Sequence, residues 1–323
     1  MSRALVAAGF VALSCIADGA LAQAYPARPI RMIAAQSAGS SLDTIARIVT
    51  NKMSETLGQQ IVVDNRGGAA GTIGLELGAR TAPDGYTLIV GASSSMIVSS
   101  FTYKKLAFDT LKDFDPISLI VNADGVMVVN PGVPAKSVKE LIALARSKPG
   151  QLNMASAGIG SSSHLSGVMF TSMADIDTVH VPYKGGGPMA TSVVAGEAQW
   201  AIAPAAALVG HIRGGRLRAL AISSKARSPL MPELPTIAEA GVPGYEYTSW
   251  NGVFAPRGTA RLIIKTVFST IQKTLAEPDV KQQYAAQGLV PLGSESPEAF
   301  GKFVRTDYER IRKLVQIAGI KPE

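Results

Sequence analysis

A chain of 323 residues exceeds the roughly 150 residues of one domain, so about two domains are expected. Apolar residues make up 47% and charged residues 17%, which excludes a disordered or fibrous chain. The net charge of +7 comes from 31 basic residues scattered along the chain, with no basic run longer than two and no aromatic–basic interleaving. Nucleic acid is therefore not an expected partner, and a mild positive field favours small anions.

The N-terminus reads as an export signal. Arg3 supplies a positive start, residues 4–13 an apolar stretch, and Ala20-Leu21-Ala22 the small-x-small pattern before a cleavage site. Cleavage is predicted between Ala22 and Gln23, making residues 1–22 a signal peptide and the mature protein an exported one. Cys15 falls in that segment, so the mature chain has no cysteine for a disulfide or a thiolate metal site. A lipid anchor on Cys15 is the rival reading, but Ala12-Leu13-Ser14 is a poor lipobox. No other uninterrupted apolar stretch reaches about 18 residues, so a soluble exported protein is expected.

Residues 30–35 form an apolar run, followed by the small-residue turn Gln36-Ser37-Ala38-Gly39-Ser40-Ser41 and a helical pattern. In that helix Ile45, Val49, Met53 and Leu57 recur at i+4, Ser40 and Asp43 match a capping box, and Gly58 supplies the stop. A strand at 60–63, the glycine-rich segment 65–71, a short helix near 73–79 and a strand at 86–91 follow. Buried strands alternating with helices predict mainly parallel sheets covered by helices. A second series repeats this plan: a strand at 125–129, a helix capped by Ser137 and Glu140, a strand at 152–155, a second glycine–serine turn at 156–163 with its helix, and strands at 178–181, 199–203 and 217–223. Two amphipathic helices close the chain, one carrying Ile263, Val267, Ile271 and Leu275, the other starting at Ser296-Pro297 and expected to pack back on the first sheet. The reading is two α/β domains, 23–122 plus 225–323 and an inserted 123–224. Crossing segments at 120–124 and 223–226 form a hinge, with a ligand cleft between the domains.

Enzyme motifs are missing: no phosphate loop, no dinucleotide fingerprint, no nucleophile elbow and no zinc-protease helix. His164, His180 and His211 are too far apart in sequence for a metal site on one element, and no metal or cofactor is expected. Ser163 and His164, as helix neighbours, diverge by about 100° and cannot act as nucleophile and base. The sequence instead offers hydroxyl-rich helix starts, whose free N–H groups and positive dipole ends attract anions. The candidate ligand-binding residues are Ser37, Ala38, Gly39, Ser40 and Ser41 in the first turn, and Ser156, Gly160, Ser161 and Ser162 in the second. Ser93 and Ser94, Lys184 and Gly185, and Pro204 and Ala205 add to them from other strand ends. Neither main turn contains Arg, so a carboxylate would be held by neutral donors and water rather than by a bidentate ion pair. Asp43 has a capping role and could also meet a ligand amine; Trp250 and Trp200 belong to the core or wall the cleft.

Several segments resemble a known family. Tyr25-Pro26-Ala27-Arg28-Pro29-Ile30, Val62-Val63-Asp64-Asn65-Arg66-Gly67-Gly68-Ala69-Ala70-Gly71 and Ala82-Pro83-Asp84-Gly85-Tyr86-Thr87-Leu88 are similar to segments of the tripartite tricarboxylate transporter substrate receptors, also called Bug proteins. So are Ser162-Ser163-His164-Leu165, His180-Val181-Pro182-Tyr183-Lys184-Gly185, Leu234-Pro235-Thr236-Ile237 and Trp250-Asn251-Gly252-Val253-Phe254, in family order over essentially the whole mature chain. The resemblance implies a two-domain periplasmic-binding-protein fold of the Venus-flytrap, type II-like kind. It also implies capture of a small anionic, usually carboxylated solute for an integral membrane permease with one large and one small subunit. It carries over the first turn, Ser156, Gly160 to Ser162, and the Lys184-Gly185 turn as binding positions. Ala38 and Ser40 replace the family's usual Pro and second Gly, and Ser192 stands where Asp is frequent. The expected protein is a monomeric receptor that catalyses no reaction. A receptor reporting to a membrane sensor, or a secreted hydrolase using a turn serine, are the alternatives.

Overall fold

The computed structural model describes residues 25–322. The predicted signal peptide and Cys15 lie outside them. The first lobe begins with strand β1 (Ile30–Ala34), helix α1 (Ser41–Leu57), β2 (Ile61–Asn65), α2 (Thr72–Ala79), β3 (Thr87–Ala92) and a short helix α3 (Ser99–Thr102). Strand β4 (Phe114–Val129) then leads into the second lobe: α4 (Val138–Ser147), β5 (Asn153–Ser156), α5 (Ser162–Ala174), β6 (Val179–Pro182), α6 (Gly186–Ala195), β7 (Trp200–Pro204), α7 (Ala205–Arg213) and β8 (Arg218–Ile222). The chain returns through β9 (Thr248–Pro256), α8 (Arg261–Ala276), α9 (Pro278–Ala286), β10 (Val290–Pro291) and α10 (Pro297–Ile317).

The strands follow the order β2-β1-β3-β9-β4-β7-β5-β6, with β8 and β10 also on β4. The outer strands are parallel, as βαβ units require. The middle is antiparallel: β9 runs against both β3 and β4, and β4 against β7 and β8. This departs from the sequence expectation of parallel sheets with few strands near the C-terminus. The 16-residue β4 serves both lobes, pairing with β9 through Asp124 and with β7 from Gly125 onward. Register shifts after Pro116, Leu119 and Met127 bend it, as bulges do, and let one strand turn from one sheet into the next.

Local signals worked as read. Ser40 accepts a hydrogen bond from the Asp43 N–H at 3.2 Å and Gly58 ends α1 in the left-handed conformation. Val267, Ile271 and Leu275 of α8 share a core with Ile45, Val49 and Met53 of α1, and in the first turn of α8 Ile264 is buried there while the expected Ile263 is only partly so. Helix α10 does more than cover the first sheet: Phe300 packs edge-on to Trp250, and the helix also contacts α5 of the second lobe. Residues 225–247, drawn into the first domain from sequence, lie against the second lobe, where Tyr245 donates to the Ser166 carbonyl at 2.9 Å and the Ile237 N–H to Ile222. At the crossing, Ser223 Oγ donates to the Tyr247 carbonyl at 2.6 Å and accepts the Gly125 N–H at 2.8 Å, tying the two connections together.

Candidate functional site

A cavity of about 730 Å³ lies between the lobes. The capping residues that begin five helices all line it: Ser40 of α1, Gly71 of α2, Ser161 of α5, Gly185 of α6 and Pro204 of α7. Helices α2, α6 and α7 have no side-chain cap, so their first N–H groups keep no partner within the helix. Each helix end carries about half a positive charge. Lys184 is the one charged residue among the described lining; the rest is hydroxyls, backbone, Gln36 and Gln287, and a few apolar groups such as Val98, Ile159, Met189 and Leu289. With no carboxylate in its wall, the cavity repels cations and suits an anion with an apolar body.

The first turn is built from three segments. Asp43 Oδ2 accepts the Gly39 N–H at 2.8 Å, and Oδ1 meets Asn65 Nδ2 at 3.0 Å and Arg47 at 2.9 Å. Burial alone would raise the Asp43 carboxyl, but the Gly39, Arg47 and Asn65 bonds together hold it below its ordinary value. With its oxygens so engaged and its side chain buried, Asp43 shapes the turn and is not among the residues lining the cavity. The glycine-rich segment lies directly beneath. A methyl group on Gly67 would sit 2.7 Å from the Ser37 nitrogen, and one on Gly71 would meet Ser95 Cβ at 2.8 Å. Ala69 and Ala70 adopt left-handed φ of 44° and 54°, uncommon for residues with a Cβ, and Ala70 lines the cavity. Gly67→Ala is expected to push the Ser37 turn out of place, costing about 1–3 kcal/mol of stability and weakening binding of any cavity ligand. Paired thermal unfolding and titration calorimetry check this, and unchanged affinity would separate Gly67 from the site.

In the second lobe Ser161 caps α5 through the His164 N–H at 3.2 Å. Ser163 Oγ accepts the Ala157 N–H at 2.8 Å rather than pairing with His164. His164 Nδ1 accepts the Gly160 N–H at 3.1 Å, and its ring stacks on His180 at 4.0 Å with 17° between planes. His180 Nε2 lies 2.7 Å from Ser156 Oγ. Burial, then the neighbouring His180, pushes His164 down to about 4, and burial lowers His180. Among the described residues no group of three or more His, Cys, Asp or Glu side chains is placed to hold a metal ion.

Of the sequence candidates, Ser37, Ala38, Gly39, Ser40, Ser41, Ser94, Gly160, Ser161, Ser162, Lys184, Gly185 and Pro204 line the cavity. Three do not. Ser93 is buried with its Oγ 3.4 Å from the Trp250 N–H, Ser156 is turned to His180, and Ala205 is buried under Gly288. Trp250 and Trp200 are core residues, both essentially inaccessible. Sequence reading passed over Thr44, Thr102, Ala70 and Gln287, which also line the cavity. The glycine-rich segment was a visible signal for Ala70. Gln287 arrives from the far end of the chain and carries no local one.

Two α/β lobes joined by crossing strands, with helix N-termini gathered at the cleft between them, define a periplasmic solute-binding protein. The profile of the Tripartite tricarboxylate transporter family receptor matches residues 45–320, and the chain belongs to that family. It is 36% identical over 323 residues to protein BugT of Bordetella pertussis, covering 99% of each chain. Its structure resembles that of R. palustris Rpa4515 with adipate, at TM-score 0.86 and 33% identity over 93% of this chain and 100% of that one. It also resembles MatC from Rhodopseudomonas palustris with bound malate, at TM-score 0.79 and 30% identity over 90% of this chain and 100% of that one.

Proposed function

We propose that this receptor captures a small carboxylate in the periplasm by closing its two lobes on it, and delivers it to the membrane subunits of a tripartite tricarboxylate transporter. The observation that carries the reading is the set of five helix N-termini around a cavity with a single lysine and no acid. Ser37 to Ser41, with Ser94, present hydroxyls and amides from the first lobe; Gly160 to Ser162, Lys184, Gly185 and Pro204 present them from the second. Ser93, Ser156 and Ala205 support these walls from behind. An anion bridging both sets binds the closed arrangement better than the open one, and that differential affinity moves the equilibrium. Residues 120–124 and 223–226, with the Ser223 tie between Gly125 and Tyr247, are the flexing region. The domain division is 23–122 plus 225–323 and 123–224, with the 225–247 segment riding on the inserted domain. Permease subunits recognise the closed, monomeric form, and no reaction is assigned. The related structures holding adipate and malate support dicarboxylates as the first ligands to try.

The test is thermal unfolding of the exported protein, stripped of co-purified ligand, against mono-, di- and tricarboxylates, amino acids and aromatic acids. A ligand at about 100 times its Kd stabilises by about 2.7 kcal/mol, so the midpoint is expected to rise with the concentration of one carboxylate class. No rise with any anion, alongside a rise with cationic or neutral solutes, would overturn the reading.

A further inference from the structure

The turn at 158–163 that forms the second-lobe wall has little conformational preference of its own. Gly158 and Gly160 stand at φ of 123° and 75°, in the region that favours glycine, and Ile159 between them is 58% exposed and so barely packed. Its shape must come from hydrogen bonds. The Gly158 N–H is held by Ser156 Oγ at 3.2 Å and its carbonyl by Ser161 Oγ at 2.6 Å. The Gly160 N–H is buried and bonded to His164 Nδ1 at 3.1 Å. Gly160 also lies where the lobes touch: a methyl group there would meet Val98 and Thr102 of the first lobe, each at 3.3 Å.

We infer that His164 is a positioning residue for ligand binding, its unprotonated Nδ1 holding the Gly160 N–H and thereby the turn that presents the start of α5 to the cleft. This rests on the carboxylate-receptor reading and names what shapes one wall of that site. A backbone N–H can only donate, so Nδ1 must carry the lone pair and the ring proton sits on Nε2. His180 fixes the plane of the ring by stacking on it, and is itself anchored by Ser156. The partners of the pair are few: the Gly160 N–H on His164 Nδ1, Ser161 Oγ on the His164 backbone N–H, Ser156 Oγ on His180, and each ring on the other. Lys184 is the charged residue on the neighbouring turn. Among the described residues no carboxylate forms an ion pair with either ring. Burial first, and then the second imidazole, hold His164 neutral down to about 4, and a protonated ring would in addition face the Gly160 donor without a lone pair to accept it. The folded state resists a proton that the unfolded chain takes up at its ordinary value of about 6.5. The stability contributed by neutral His164 is thus present above that value and lost as pH falls from there toward about 4.

The test compares the full exported chain with H164L and H164N, using adipate as the probe at neutral pH. Asparagine places its Oδ1 close to the position of Nδ1 and does not titrate. H164L is expected to weaken adipate by about tenfold or more, the worth of one hydrogen bond, while H164N restores most of the affinity. As pH falls through about 4, wild-type affinity should drop relative to H164N, and it should stay flat above about 5, a ratio in which the titration of adipate itself cancels. Equal affinity of H164L and wild type overturns the inference, and so does an H164N as weak as H164L. If adipate fails to bind the wild type, the probe is wrong or the receptor reading fails, and the amide exchange rate of Gly160 decides the inference alone. Fast exchange in H164L with protection in the wild type and H164N supports it; equal exchange in all three overturns it.

Discussion

Replacing Ser162 by Asp is expected to abolish carboxylate binding while leaving the protein at least as stable as before. Ser162 is the first residue of α5, half-buried in the cleft wall. An acid in the first turn of a helix complements the dipole and adds about 0.3–1 kcal/mol of stability. In the proposed binding mode the same charge occupies the place of the ligand carboxylate. Two like charges about 4 Å apart at an effective dielectric of about 20 repel by about 4 kcal/mol, close to a thousandfold in affinity. Ser162→Asn, of similar shape and no charge, should bind within about tenfold of the wild type, as expected for the loss of one neutral contact. Titration calorimetry on the three proteins, with thermal midpoints alongside, separates the electrostatic effect from damage to the fold. A Ser162→Asp protein that binds as tightly as the Asn variant would remove the start of α5 from the site.

The contrast between what was legible and what was not follows the range of the interactions. Ser40 with Asp43, Ser137 with Glu140, Gly58 and Ser296-Pro297 were readable because a cap is settled within four residues. Strand β9 was not, because its nine residues are made a strand by partners far away in sequence, Phe114 to Asp124 on one side and Ile89 to Ala92 on the other. That same distance hid the role of Trp250, a plausible cleft wall by composition and a core residue once β9 is in the sheet. The hydroxyl-rich turns located the cleft but did not sort their own serines. Ser156 and Ser163 satisfy backbone N–H groups and His180, while Ser161 caps α5 and Ser162 begins it, a division that the run of like residues at 156–163 does not show. The Gly67 and Gly71 contacts with Ser37 and Ser95 were equally silent, since glycine in a turn signals freedom and not what passes over it.

The second large effect is expected at the far side of the lobe junction, in Asp307→Ala. Asp307 is 4% exposed and accepts two hydrogen bonds, from Trp250 Nε1 and from Arg310 Nε, each at 2.7 Å. Trp250 stands opposite Asn122 on β4, ringed by Phe254, Phe300 and Phe303, and Arg310 also reaches the Thr248 carbonyl at 3.3 Å. One carboxylate of α10 thus pins β9, which pairs with β4 as far as Asp124, to the helix that also touches α5. Removing it strands a buried indole N–H and a guanidinium. A fully buried pair would lose about 3–5 kcal/mol, but Arg310 is partly exposed and water recovers some of that, leaving about 2–3 kcal/mol. At about 2–4 °C per kcal/mol this is a drop of about 5–10 °C in Tm. Trp250→Phe keeps the six-membered ring and the Asp307–Arg310 pair but loses the pyrrole edge with its N–H, so it should cost about 1–2 kcal/mol. Asp307→Asn retains an acceptor for the indole but not the charge, and should fall between them. The order of the three midpoints tests whether the pair or the packing governs this junction: if Trp250→Phe proves the most damaging, the aromatic cluster holds β9 to α10 and the carboxylate is incidental to it.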